Sequence, residues 1–459
     1  MHSRTVNGDS RPSFWPHVRE FAVPLSMIES ATARRATGDW AGACAAARVD
    51  VDLNLRSVAD THGRELASRV RTDLRHLAPD LLRWHMPRIA PDGLLRPGLT
   101  MSLARYHAAE RSGGNALHLV ARTPPAWADA GQRISLALWG GTGPRTAPGP
   151  HPHPRPDRRF RLDLHRHLWD ARRTDELRIR SGADQPPADG RTAAHQDLRQ
   201  AHGCAVDRWA AEAEILLRAD GRVGAAVAVR LGARHRLVLE LAPEAAAGAA
   251  SGLRIRTAPA RGGAAELPVL PDAAVWVLPD LALLRAGLVE ADRLHPLVTS
   301  ALVPGHPPDV PPRVPDGRAT PRLVPCRGAQ HRIGLVNGTL VPFDHDPAEI
   351  RREELLAALT GTPLPCLQVI DEAHRRPECL VDVRARLDHG DTAGALAAVE
   401  ELLGPEALLR DGALRDELET AALRRVRHGL FRAGLAGLGA GPVSRSGPRR
   451  RQPRRATTP

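Results

Sequence analysis

The chain has no lysine: all 64 of its Lys and Arg positions are arginine. Chemistry that needs a lysine amine is therefore excluded. That removes Schiff-base and pyridoxal catalysis, and the phosphate-binding lysine of a P-loop NTPase. Tyrosine (1), phenylalanine (5) and asparagine (4) are scarce too, while Arg, Ala, Gly and Pro abound. The depleted residues have AT-rich codons and the enriched ones GC-rich codons. GC-biased coding accounts for the skew, so the arginine excess is not in itself a nucleic-acid signature. Cysteine is sparse: five in 459 residues, odd in number and widely spaced. This excludes a disulfide scaffold and, with no apolar leader near Met1, leads us to expect a reducing cytoplasm. No run approaches 18 apolar residues, so no membrane span is expected.

The net charge of +12 is unevenly spread. Residues 1–343 carry 46 Arg against 34 acids, residues 344–441 carry 12 against 18, and the tail from 442 carries 6 Arg and no acid. An acidic segment thus lies between a basic body and a basic tail. Contact between these parts explains the pattern as well as an outside polyanion does.

The expected class is α+β: a helical N-terminal block, a central antiparallel β-rich domain, a mostly helical C-terminal domain and a disordered basic tail. The boundaries are 20–97, 98–303, a linker at 304–322, 323–441 and 442–459. In the first block Leu66, Val70, Leu74, Leu77 and Leu81 recur at three- and four-residue steps, one face of a long helix. Prolines 87, 91 and 97 end it. Strands are expected at 116–122, 133–139, 160–164, 213–218, 223–230, 236–242, 253–258 and 274–278, with a hairpin turn between 218 and 223. Residues 304–321 hold seven prolines and no regular pattern, which reads as a linker. Beyond it, Asn337-Gly338 is a strong hairpin signal, because both central residues of the turn need positive φ. Asp346, Pro347 and Glu349 compose a capping box at a helix start, with Leu355, Leu356 and Leu359 as the apolar face. Further helices are expected at about 364–374, 378–388, 392–403 and 412–433. In the last, Leu414, Leu418, Ala422 and Val426 recur every four residues.

Gly38-Asp39-Trp40-Ala41-Gly42 resembles Gly390-Asp391-Thr392-Ala393-Gly394. Each looks like the junction inside a tetratricopeptide-type helical hairpin, but no 34-residue period connects them. Asp371-Glu372-Ala373-His374 matches the DEAH box of the helicase family of that name. With no phosphate-cradling loop and no lysine, it reads as a charged helix end. Cys326-Arg327-Gly328 carries half of a caspase-type nucleophile signature without the preceding Gln-Ala.

Cys326 and His331 are the catalytic candidates, as a thiolate beside a base. His165 and His167 are the metal candidates, since alternate strand residues share a face; His151 and His153 lie near them in sequence. Two looser groups are Cys366 with His374 and Cys379, and Asp344 with His345 and Asp346. No resident cofactor is expected. The leading functional expectation is a non-enzymatic cytoplasmic interaction or adaptor protein. The alternatives are a hydrolase with a Cys/His or metal site, and a nucleic-acid-associated protein acting through Arg449, Arg450, Arg451, Arg454 and Arg455.

Overall fold

The computed structural model describes residues 15–107, 116–128, 132–140, 151–185, 198, 203–222, 226–232, 235–241, 253–257, 266–306, 322–361 and 363–435. The expected disordered tail at 442–459 and most of the expected linker lie outside these residues. The fold is α+β, with several separate sheets. No helix among the described residues is long and apolar enough to cross a membrane.

The N-terminal part begins with three helices, α1 (Trp15–Phe21), α2 (Leu25–Ala36) and α3 (Trp40–Ala46), followed by strand β1 (Val49–Val51). Helices α4 (Leu55–His62), α5 (Arg64–His76) and α6 (Pro79–Trp84) come next. The expected single long helix over Leu66–Leu81 is thus two. Leu77 leaves helical geometry, and Pro79 takes the first-turn position of α6, where its missing N–H costs nothing. All five periodic leucine and valine positions are nevertheless buried.

After a short ribbon of β2 (Arg88–Ile89) and β3 (Leu94–Leu95), strands β4 (Thr100–Tyr106), β5 (Leu117–Arg122) and β6 (Ile134–Trp139) form an antiparallel meander. β1 joins its far edge parallel to β6, with Val49 opposite Ile134. One core runs through this sheet and α1–α6 and takes in residues as late as Leu302, from the helix Pro296–Leu302. A smaller core lies between the helix Trp209–Ala219 and a second antiparallel sheet of β7 (Ala226–Arg230), β8 (Arg236–Leu241) and β9 (Leu253–Thr257).

Three of the expected strands are corrected. Residues 213–218 lie in the helix Trp209–Ala219, where Trp209, Ala213, Leu216 and Leu217 are buried at helical spacing. A six-residue window starting at 213 misses the Trp209 that sets this period. Residues 160–164 make only an isolated bridge, Ser102 to Arg161, and 274–278 begin inside the short helix Asp272–Val275.

The C-terminal part opens with β10 (Arg322–Cys326), β11 (Ala329–Val336) and β12 (Thr339–Pro342), an antiparallel three-stranded sheet. Asn337 and Gly338 take φ of 51° and 76°, the expected tight turn. Arg327 and Gly328 form a second turn of the same kind (51° and 80°). Helices follow at Pro347–Thr360, Pro365–Arg375, Leu380–Asp388, Thr392–Leu403 and Ala413–Arg432. The DEAH residues lie in the second of these, with Asp371 ion-paired to Arg375 and Arg410.

Two expectations about helix faces are overturned. Asp346 caps Pro347–Thr360 by accepting from Ala348 N, but Glu349 turns away to Arg327 and His345. That helix buries no residue, and Leu355, Leu356 and Leu359 are 70%, 52% and 88% exposed. In Ala413–Arg432 the buried stripe is Leu414, Ala421, His428 and Phe431, while Val426 is exposed. Each four-residue step over-rotates by about 40°, so three steps carry Val426 off the face.

Both Gly-Asp junctions have the expected form. Gly38 and Gly390 take φ of 79° and 83°. Asp39 then accepts from Gly42 N and Arg34, and Asp391 from Gly394 N and Arg386. A Cβ on either Gly42 or Gly394 would run into the capping carboxylate, at 2.0 and 2.1 Å. The glycines therefore leave room for the cap and its arginine.

Candidate metal centre

Strand alternation and the Arg327-Gly328 turn together build the first half of the site. Cys326 and Val324 are two apart on β10 and share a face; β11 sets His331 opposite Val324, with Ile333 two residues on. One face of the hairpin therefore carries a thiol, an imidazole and two aliphatic side chains. Val324, Cys326 and Ile333 belong to a small core completed by Leu364, Cys366 and Ile370.

Cys366 follows Pro365 in the first turn of its helix. The positive end of the helix dipole there favours a thiolate. Burial and the neighbouring Cys326 push the free Cys366 thiol up to about 11. His345 comes from the segment between β12 and the Asp346 cap.

The ligand atoms of Cys326, His331, His345 and Cys366 all lie within 4.8 Å of one another. His331 Nδ1 and His345 Nε2 face each other at 2.8 Å. Two thiolates and two imidazoles converging in this way are the donor set of a tetrahedral zinc ion, with ligand bonds of about 2.0–2.3 Å. The arrangement behind the ligands fits as well. His345 Nδ1 is 3.5 Å from Glu349 Oε2, so a carboxylate backs the ring whose other nitrogen points to the centre. Arg327, on the first turn, holds Glu349 at 2.6 Å and Glu353 at 2.5 Å. Asp344 binds the backbone N–H and guanidinium of Arg332, which hold its carboxyl down to about 2 and fix the loop before His345.

The structure re-sorts the groups read from sequence. Cys326 and His331, the catalytic candidates, lie within 4.8 Å of each other as two members of a four-member set. Cys366 leaves His374 and Cys379, and His345 leaves Asp344 and Asp346, to complete it. His345 and Cys366 escaped the sequence reading because 13 and 20 residues separate the last three ligands; no short C-x-x-C or H-x-x-x-H element exists. The available signal was two tight turns bracketing the Cys and His residues of 326–345, followed by a Pro-Cys helix start.

His165 and His167 are both buried, with ring centroids 5.7 Å apart, and burial lowers both below the usual imidazole range. Among the described residues no further Cys, His or carboxylate completes a three-ligand group with them. His151 lies elsewhere, its Nε2 2.9 Å from Thr123 O. A Ser–His pair that sequence reading missed places Ser102 Oγ 2.8 Å from His118 Nδ1, with Ser102 1% exposed.

No known protein family, curated protein or solved structure matches the chain.

Proposed function

We propose that this chain is a non-catalytic interaction protein whose C-terminal module is stapled by zinc held on Cys326, His331, His345 and Cys366. The convergence of these four donor atoms within 4.8 Å carries the reading. Four protein ligands fill a tetrahedral shell, whereas catalytic zinc keeps a position for water or substrate. The staple also answers a physical need. The core around the ligands holds only six buried residues, and cores that small fold with help from metals or cross-links. The leucines of Pro347–Thr360, exposed beside this module, supply an apolar surface for a partner. Free thiols at all five cysteines and a thiolate metal set suit a reducing compartment.

The deciding experiment is elemental analysis combined with thiol mapping of the purified full chain. One zinc per chain is expected, falling below a fifth of that in Cys326→Ser and His345→Ala. Iodoacetamide should leave Cys326 unmodified until a chelator is added. A metal-free wild-type protein, or a Cys326 that alkylates rapidly with metal bound, would reject the staple; the second result would favour the Cys326/His331 hydrolase.

A further inference from the structure

A cleft of about 290 Å³ lies between the first sheet and the second core. One wall is the sheet itself. Its ladders set Arg105 of β4 opposite His118 of β5, and His118 opposite Trp139 of β6, so the three side chains form a row across one face. Leu117 and Leu119, the sequence neighbours of His118, belong to the large core, so the row faces the other way, onto the cleft. The opposite wall holds Leu216 of the second core and Asp220, just past the end of the helix Trp209–Ala219.

Asp220 crosses the cleft. Its Oδ1 accepts from Arg105 Nη1 at 3.3 Å and from Arg161 Nη1 at 2.7 Å, so two guanidiniums meet at one oxygen. Asp163 holds the other end of Arg161 at 2.8 Å. These bonds fix both arginines while leaving their side chains 33% and 14% exposed. Ser102 Oγ fixes His118 through Nδ1 and leaves Nε2 without a hydrogen bond among the described residues. The His118 and Trp139 rings stand edge-on at 5.6 Å, and both residues are half-buried.

The cleft is basic: five arginines line it against three acids. Asp220 is already answered, and Asp157 accepts from Arg159 N at 2.9 Å. The guanidiniums of Arg155 and Arg158 are in no ion pair or hydrogen bond among the described residues, and both residues are exposed. The guanidinium of Arg222 donates to Glu266 O at 3.3 Å, an uncharged partner. Burial is the first cause that lowers His118 below the usual imidazole range, so the positive charge at pH 7.5 belongs to the arginines alone. Their planar forks match phosphate oxygens two at a time. An apolar cavity of about 150 Å³ takes up benzene, so this larger cleft admits a ring system with an anionic group.

We propose that the cleft binds a phosphate monoester carrying one or two aromatic rings, with the phosphate among the arginines and the rings against His118 and Trp139. This inference is independent of the metal centre.

The test is calorimetric titration of the full chain at pH 7.5 and about 0.15 M salt. The probes are 1-naphthyl phosphate and adenosine 5′-monophosphate, with 1-naphthol, adenosine and inorganic phosphate as their parts. At least one ester should bind, and its parts at least tenfold more weakly. Arg155→Gln with Arg158→Gln, both at exposed positions, should weaken the ester about tenfold and leave its dephosphorylated ring unchanged. Trp139→Leu should weaken the ester about fivefold and leave inorganic phosphate unchanged. Arg425→Gln with Arg427→Gln, exposed on the last helix and off the lining, should change nothing. Failure of both esters to bind, equal binding of the neutral rings, or an Arg155/Arg158 variant of unaltered affinity would each overturn the proposal. An equal loss in the Arg425/Arg427 variant would reduce it to bulk attraction and overturn it too. If Trp139→Leu proves unfolded by circular dichroism, the arginine variants decide alone.

Discussion

Arg48 reaches out of the N-terminal part to Asp391, the residue that caps a C-terminal helix, with Nη2 3.0 Å from Oδ1. Its Nη1 also donates to His389 O at 3.1 Å. The arginine just past the first Gly-Asp junction thus clasps the second one. Around it, Arg432 pairs with Asp52, His428 Nδ1 meets Ala128 O at 3.1 Å, and Trp127 packs edge-on against Phe431. The C-terminal helices are thus docked on the N-terminal part by pairs of both polarities, Arg48 with Asp391 and Asp52 with Arg432.

Arg48→Ala should destabilise the chain by about 2–4 kcal/mol, because it leaves the largely buried Asp391 carboxylate short of a partner. Urea unfolding followed by circular dichroism measures this. A change under about 0.5 kcal/mol would show that the clasp contributes nothing.

Removing metal should loosen only part of the C-terminal segment. The ligand core and the helical core of Leu380, Val383, Leu387, Ala395 and Leu414 are distinct clusters that share Leu340 at their border, and the docking residues Asp391, His428, Phe431 and Arg432 lie on helices that build the helical one. After chelation, hydrogen exchange should rise across 322–376 and stay low across 380–432. All eight tryptophans precede residue 277. Trp127 reports on docking through Phe431, and its emission should not move. Exchange rising equally across both stretches would mean that one unit has been mistaken for two.

Acid should unfold the protein steeply. Burial is the first cause of the lowered values of His85 and His165 (about 4), of His389 (about 2) and of His167, which lies well below the usual imidazole range. Each ring is neutral when folded and takes up a proton on unfolding once the pH drops below about 6.5. Their contribution to stability is therefore complete above about 6.5 and is lost as pH falls toward the folded values. Asp272, raised to about 6 chiefly by burial, works in the opposite direction between 3.8 and 6. Below about pH 6.5 the histidines outnumber Asp272, so unfolding takes up protons on balance and stability falls with pH. Denaturant titrations at pH 7.5, 6 and 5 give this slope directly; a flat profile would show that the rings are hydrated in solution.

Leu355→Asp with Leu359→Asp should leave the unfolding free energy within about 0.5 kcal/mol of wild type, since both side chains are exposed. The same double variant should lose any specific partner that the wild-type chain recovers. Retention of that partner would remove this helix from the interaction surface.

The C-terminal helices were legible because local chemistry marks their ends. Asp346-Pro347, Pro365 and Gly390-Asp391 each place a residue whose backbone or side chain suits a terminus. Face assignments were less legible. Leu355, Leu356 and Leu359 have helical spacing, but spacing cannot say whether anything lies opposite. Half of the metal set, Cys326 and His331, was visible as a pair across a turn. The other half depended on how a three-stranded sheet and a helix start come together in space, which no short spacing encodes.

β1 sits at the edge of the first sheet, but its neighbour β6 lies more than 80 residues later, and the same core is closed by residues near 300. At roughly 5–20 residues per second, a ribosome needs about 15–60 s to deliver everything between Trp15 and Leu302. Throughout that interval the apolar faces of α2, α5 and α6 have no finished core to enter. The parallel edge strand therefore sets a timing problem for the nascent chain, one that a chaperone binding the first hundred residues would solve.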